Sequence, residues 1–182
     1  MTDEITLIEQ LKDARTKEVA FRELISQYKE RLYWHVRKIV ISHDDADDVL
    51  QNTFIKIFKN IGNFKEDSKL YSWMYRIATN ESITFINKRA KERNIDITEI
   101  HSELASSLQS DIYFSGTEIQ LILQKAIATL PQKQQLVFNM KYFDNLKYQE
   151  ISEILKTSVG ALKASYFHAV KKIENYIKTQ TH

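Results

Sequence analysis

Apolar residues recur at spacings of three and four along most of the chain, the period of helices that bury one face. In the first half this pattern predicts helices over about Glu4–Lys12, Glu18–Val40, Asp44–Ile61 and Leu70–Lys91. The third is the clearest, with Leu50, Phe54, Ile57 and Ile61 as its inner stripe. Ser42 followed by Asp45 reads as a capping box, and Asp44, Asp45, Asp47 and Asp48 crowd the first turn, where the helix dipole favours negative charge. Gly62 stands where a left-handed residue would end that helix.

From Arg93 to Gly116 the pattern fades into a stretch rich in serine and acid, with Ser102, Ser106, Ser107, Ser110 and Ser115, which reads as a flexible acidic linker over 93–117. Two small helical domains are therefore expected, 1–92 and 118–182, each near the lower size limit for independent folding. The second begins with Glu118–Leu130, breaks at Pro131 and continues over Gln132–Tyr142. A short helix Leu146–Leu155, a turn at Lys156 and Thr157, and a last helix capped by Ser158 follow. Ile151, Ile154 and Leu155 face inward on the first of this pair, and Val159, Leu162, Tyr166, Ala169 and Ile173 on the second, which is helix-turn-helix spacing.

Composition sharpens the fold class to all-α. Three glycines and one proline in 182 residues leave little material for β-turns. The absence of cysteine removes disulfides, thiol nucleophiles and thiolate zinc sites. No apolar run approaches membrane-spanning length and the first ten residues are polar, so no membrane insertion and a cytoplasmic location are expected. Charge is nearly balanced, 26 Lys and Arg against 24 Asp and Glu, but unevenly spread: 93–117 carries one cation against four acids, and 118–182 nine against five.

Three segments carry candidate chemistry. The outer face of the last helix opens with Gly160, Ala161, Ala164, Ser165 and His168, flanked by Lys163, Lys171 and Lys172. Small and polar residues there can approach base edges while lysines hold phosphate; an αα-hairpin with solvated lysines is the plainer reading. Between Phe64 and Arg93, aromatic residues (Phe64, Tyr71, Trp73, Tyr75) alternate with cations (Lys65, Lys69, Arg76, Lys88, Arg89, Lys91), a mixture suited to unpaired bases, although Trp73 and Ile77 at helical spacing also fit a core. The acidic turn at Asp44–Asp48 lacks the glycine and terminal glutamate of a calcium loop, so no metal is expected; Asp47, Asp48, Gln51, Asn52, Ile55 and Lys56 read instead as a partner surface. Five scattered histidines and no nucleophile motif argue against an enzyme, and no cofactor is expected.

These segments resemble the extracytoplasmic-function (ECF) sigma factors of bacterial RNA polymerase, over nearly the whole chain. Asp45-Ala-Asp-Asp-Val-Leu-Gln-Asn-Thr-Phe-Ile-Lys-Ile-Phe58 is similar to the region 2.2 motif D-A-E-D-L-V-Q-E-x-F-L-x-x-W. Phe64-Lys-Glu-Asp-Ser-Lys-Leu-Tyr-Ser-Trp-Met-Tyr-Arg-Ile-Ala-Thr-Asn80 is similar to regions 2.3 and 2.4, F-x-G-x-S-x-F-x-T-W-L-x-x-I-A-x-N. Leu130-Pro131 and Leu146 to Lys163 resemble region 4. The resemblance implies an alternative sigma factor that binds core RNA polymerase, through the β′ clamp helices and the β flap, and recognises promoter DNA. It assigns Asp48, Leu50, Gln51, Asn52, Ile55 and Lys56 to the polymerase. Asn63, Phe64, Lys65, Ser68, Lys69, Tyr71, Trp73, Arg76, Asn80, Lys88 and Arg89 fall to the melted −10 element, and Lys147, Tyr148, Gly160, Ala161, Lys163, Ala164, Ser165, His168 and Lys171 to the −35 duplex. The family often has an anti-sigma factor that occludes the same surfaces.

Departures fall on functional positions. Ser165 and His168 stand where the family often has arginine, so bidentate guanine contacts are lost and a different −35 preference is expected. Asn52 replaces the usual glutamate of the clamp motif, Glu66 the glycine of the −10 loop, and Lys147 a capping Ser or Thr, leaving Asn145 as a candidate cap. A stand-alone helix-turn-helix regulator and a helical adaptor that binds only protein are the alternatives; direct duplex binding without polymerase would mark the first.

Overall fold

The computed structural model describes residues 3–111 and 116–180, and among these every regular element is helical. The order is α1 Glu4–Lys12, α2 Lys17–Val40, α3 His43–Asn60, α4 Leu70–Arg93, α5 Ile97–Ser107, α6 Glu118–Ala128, α7 Gln132–Phe138, α8 Tyr148–Leu155 and α9 Val159–Gln180. Short 3-10 turns follow α3 and α5, and a π turn, Asn139–Phe143, extends α7. The expected all-α architecture is thus the observed one.

Helices α2, α3 and α4 pack on one another, with α1 laid against α2. Leu24, Leu32 and Val36 of α2, the Leu50–Phe54–Ile57 stripe of α3 and Met74, Ala78 and Ile86 of α4 meet in their core. Ser42 caps α3 by accepting from the Asp45 backbone N–H, but only half of the expected capping box forms, because the Asp45 carboxylate turns to Arg89. Gly62 does not take the left-handed conformation either: α3 tightens into the 3-10 turn Ile61–Asn63, so no positive φ is needed there.

The segment expected to be a linker is the main correction. Asp96 caps a helix by accepting from the Thr98 N–H at 2.8 Å, and Ile100, His101, Ala105 and Leu108 are buried. Their spacing of one, four and three is helical; the serines that hid it lie on the outer side, where Ser106 and Ser107 return hydrogen bonds to carbonyls of the helix itself. Arg37 of α2 then pairs with Asp111 at 2.5 Å. Ser115 and the chain ends, His182 included, lie outside the described residues.

The second half does not stand apart from the first. Val137, Met140, Leu146, Ile151, Ile154 and Leu162 belong to the same apolar cluster as α2 and α4, and α8 lies on α4. A smaller cluster of Ala126, Ile127, Leu130, Phe138, Ala169 and Ile173 ties α6 and α7 to α9.

Candidate nucleic-acid interface

The helix-turn-helix forms as the spacing predicts. Lys156 ends α8 in the left-handed conformation (φ 52°), and Ser158 opens α9 by accepting from the Ala161 N–H at 3.3 Å. At the start of α8 the cap position is Lys147, not Asn145: Glu150 reaches back to accept from the Lys147 N–H at 2.8 Å, while Asn145 sits left-handed two residues earlier. Along α9, Leu162, Ala169 and Ile173 are buried and Tyr166 stacks on Phe138 at 5.8 Å, fixing the inner face. Gly160, Ala161, Lys163, Ala164, His168 and Lys171 are exposed on the other, with Ser165 half-buried beside them. A Cβ added at Gly160 would meet nothing within 4 Å, so packing does not require the glycine. Lys163 lies over the Tyr148 ring at 5.9 Å, which gathers the predicted −35 residues of both helices into one patch.

Phe167 was missed by the sequence reading. It is 54% exposed on the same side, with the Lys171 ammonium 4.6 Å over its ring and His168 edge-on to it. Its signal was an aromatic residue one step outside the α9 inner stripe, in a helix whose core positions were already filled.

On the α3–α4 side, the predicted polymerase residues Asp48, Gln51, Asn52, Ile55 and Lys56 share one exposed face of α3. Ile55 is 45% exposed and borders an apolar groove of about 370 Å³ with Phe21, Ile25, Phe54 and Phe58. Leu50 corrects the motif-based assignment: it is buried in the core, as the α3 stripe predicts, because it lies nearly half a turn from the centre of that face. Lys56 forms an ion pair with Glu81 of α4.

The predicted −10 residues are not all alike. Asn63, Lys65, Lys69, Asn80 and Lys88 are exposed, and Ser68, Tyr71, Trp73, Arg76 and Arg89 half-buried. Phe64 is a second correction: it is buried against Trp73, with ring centroids 5.3 Å apart, and closes the end of the core, so its side chain is not open to a base. Tyr75, one of the candidate aromatics, is buried as well, its hydroxyl accepting from Arg31 at 3.1 Å. Arg89 is held by Asp45 and Lys88 by Glu92. Glu66, at the family's glycine position, keeps the left-handed backbone (φ 59°) that glycine adopts freely, at a steric cost of about 1–2 kcal/mol, and pairs with Lys12.

The two candidate DNA surfaces abut. Lys69, at the start of α4, pairs with Glu150 of α8 at 3.2 Å, and Tyr71 hydrogen-bonds the same carboxylate. Burial pushes the Tyr71 hydroxyl up to about 12, with the neighbouring Glu150 charge adding to it. Burial alone would raise Glu150, but the bonds from Tyr71, the Lys147 N–H and Lys69 hold it below its usual value. In the acidic turn of α3, Asp45 pairs with Arg89 and Asp47 with His43, and among the described residues no group of three His, Asp or Glu is placed to hold a metal. Nor is any helix among them long and apolar enough to cross a membrane.

A helical body bearing an apolar groove is thus joined to a helix-turn-helix whose outer face carries small residues and lysines. The sigma-70 region 2 family matches residues 24–92 and the sigma-70 region 4 family residues 120–173. ECF RNA polymerase sigma factor SigW of Bacillus subtilis is 31% identical over 153 residues, covering 79% of this chain and 81% of the relative. The ECF RNA polymerase sigma-E factor of Escherichia coli K12 is 27% identical over 186 residues, 98% and 95% of the two chains. The chain belongs to the ECF RNA polymerase sigma factors, and it is an alternative sigma factor that directs promoter-specific transcription. Its fold is that of CnrH solved with the cytosolic domain of CnrY (TM-score 0.70, 19% identity, 97% of both chains). It is also that of the Bartonella quintana sigma factor RpoE solved with the anti-sigma factor NepR (0.67, 18%, 87% of this chain and 96% of that one).

Proposed function

We propose that residues 1–92 dock on core polymerase and hold the melted −10 strand while residues 118–182 read the −35 duplex, all in the cytoplasm and by binding alone, without catalysis. The observation that carries this is the division of α9: Leu162, Ala169 and Ile173 lock one face into the core, leaving Gly160, Ala161, Lys163, Ala164, His168 and Lys171 open on the other. Lysines on such a face supply phosphate affinity, and the small residues allow the backbone close to base edges. Without arginine at Ser165 and His168, specificity rests on Ser165, on apolar contact from Phe167 to thymine methyls, and on DNA shape. The α3 face of Asp48, Gln51, Asn52, Ile55 and Lys56, with its apolar groove, serves the β′ clamp helices, and the α6–α9 body the β flap.

Two elements named for positions 35 and 10 are separated by ~25 base pairs, or roughly 85 Å at 3.4 Å each. Lys69 and Glu150, from the −10 and −35 sides, touch. This conformation therefore cannot serve both elements at once, and the two regions separate when polymerase is bound. An anti-sigma factor is a further partner; relatives of the same fold were solved with CnrY and with NepR.

Co-purification with bacterial core polymerase, followed by transcription from randomised promoters, tests the reading. Core binding with selected −35 and −10 sequences is expected. Duplex binding by the free protein with no affinity for core would overturn it in favour of a stand-alone regulator.

A further inference from the structure

A second cleft, of about 330 Å³, lies on the seam between α4 and the α7–α8 side. Arg76 and Asn80 enter it from α4, Gln132 and Lys133 from α7, and Lys156 and Thr157 from the turn after α8. Its lining includes three cations and no carboxylate. Among the described residues none of the three is in an ion pair, whereas Lys38 pairs with Asp144 and Lys69 with Glu150 across the contact between the two halves.

The side-chain nitrogen of Gln132 is buried with no acceptor. Each wall thus brings a cation, and a buried donor without an acceptor, as at Gln132, is costly. Arg76 is half-buried and the two lysines are exposed, so three positive charges line one cleft with no carboxylate among its walls to offset their repulsion. A multivalent anion answers both deficits. The remaining lining is Thr79 and the apolar Ile83, Leu136, Ile154 and Leu155.

We propose that this cleft binds a multivalent phosphate anion, and that the anion holds the two regions together. Because the walls come from both regions, the site exists only while they are in contact. A ligand that binds one conformation alone shifts the population toward it by mass action. Arg76 and Asn80 belong to the −10 surface, so the bound anion also covers part of what the promoter strand needs. Phosphate of this kind has two sources, a small polyphosphate in solution or successive phosphates of a nucleic-acid strand. The first closes the protein; the second, if it took Arg76 and Asn80 alone, would open it.

The test uses the full chain with sodium pyrophosphate and, separately, a short thymidine oligomer, both at constant ionic strength. Thermal midpoint, radius of gyration by small-angle scattering and promoter-duplex affinity are read together. Pyrophosphate is expected to raise the midpoint saturably, keep the protein compact and weaken duplex binding. In Lys133→Gln/Lys156→Gln its affinity falls tenfold or more, while circular dichroism stays unchanged, since both lysines are exposed. Lys133→Gln alone gives a smaller loss of the same kind. Absence of saturable binding, affinity undiminished in the double variant, or binding of the oligomer alone with expansion of the protein would each overturn the proposal.

Discussion

Asp144, in the bend before the helix-turn-helix, hydrogen-bonds the buried ring of His35 in the last third of α2 at 3.2 Å. Its other oxygen accepts from Lys38 at 2.5 Å, and the His35 ring leans on Tyr75 with centroids 4.4 Å apart. One carboxylate thus fastens the segment that leads into the helix-turn-helix to α2. The Asn139 side chain, which donates to the Lys38 carbonyl at 3.4 Å, supports the same join.

Asp144→Asn keeps the shape and removes the charge. Burial alone would push the Asp144 carboxyl up, yet the His35 bond and Lys38 hold it below its usual value, so the ionised form is the one the seam stabilises. Removing one partner of a buried pair costs on the order of 3 kcal/mol. The variant is expected to have a larger radius of gyration and, as free protein, tighter binding to duplex promoter fragments. In the wild type, Asp144 and Glu150 are both lowered in the folded protein. Their stabilisation is therefore present above the ordinary carboxylate range and lost as pH falls through the lowered values. An unchanged radius in Asp144→Asn would show that the apolar seam closes the protein without the carboxylate.

Leu50 and Ile55 separate core from docking surface within one helix. Leu50→Ala empties a buried position and is expected to cost about 2–5 kcal/mol, read as a lower thermal midpoint. Ile55→Ala, at 45% exposure, is expected to leave the midpoint nearly unchanged and weaken core-polymerase binding. Polymerase affinity equal to wild type in Ile55→Ala would move the docking surface off this face of α3.

Phe167→Ala tests the aromatic side chain on the outer face of α9. Phenylalanine can pack on the methyl of thymine, so the loss should concentrate at A·T positions of the −35 element. Lys171 loses the ring it lies over, but its charge remains for phosphate. The selected −35 sequence is expected to relax at one or two positions with the salt dependence of binding preserved. An unaltered selection profile would remove Phe167 from the reading surface.

Long helices with a filled apolar stripe were legible in the sequence because their period survives any surface. The α3 stripe and the inner faces of α8 and α9 are examples, with Ile57, Ile151 and Leu162 buried as the spacing requires. Helix α5 was not legible, because serines on its outer side diluted a pattern carried by only Ile97, Ile100, Leu104, Ala105 and Leu108. Leu50 stands in the inward stripe that the spacing predicts and is buried accordingly; its outward role, like that of Phe64, comes from motif position alone, which fixes identity but not the direction of a side chain. The seam itself could not be read at all: His35 and Asp144 are 109 residues apart, and neither has a local pattern that announces the other.

Burial of His101 is expected to make the attachment of helix α5 pH-dependent. Its ring is buried, one nitrogen bonded to the Ile39 carbonyl of α2 and Nε2 without a partner. A second proton would be buried with no acceptor, and burial accordingly pushes the imidazole down to about 4 from 6.5. The unfolded chain then binds more protons than the folded one between these values, so stability is fully present above about pH 6.5 and declines as pH falls toward 4. The amount at stake is about 3 kcal/mol. His101→Leu, which keeps the volume and cannot charge, is expected to flatten the fall in thermal midpoint between pH 6.5 and 4, with backbone amides of α5 losing less of their protection from hydrogen exchange in acid than in the wild type. If the variant's midpoint falls as steeply as the wild type's, the acid sensitivity belongs to the carboxylates at Asp144 and Glu150 and not to this histidine.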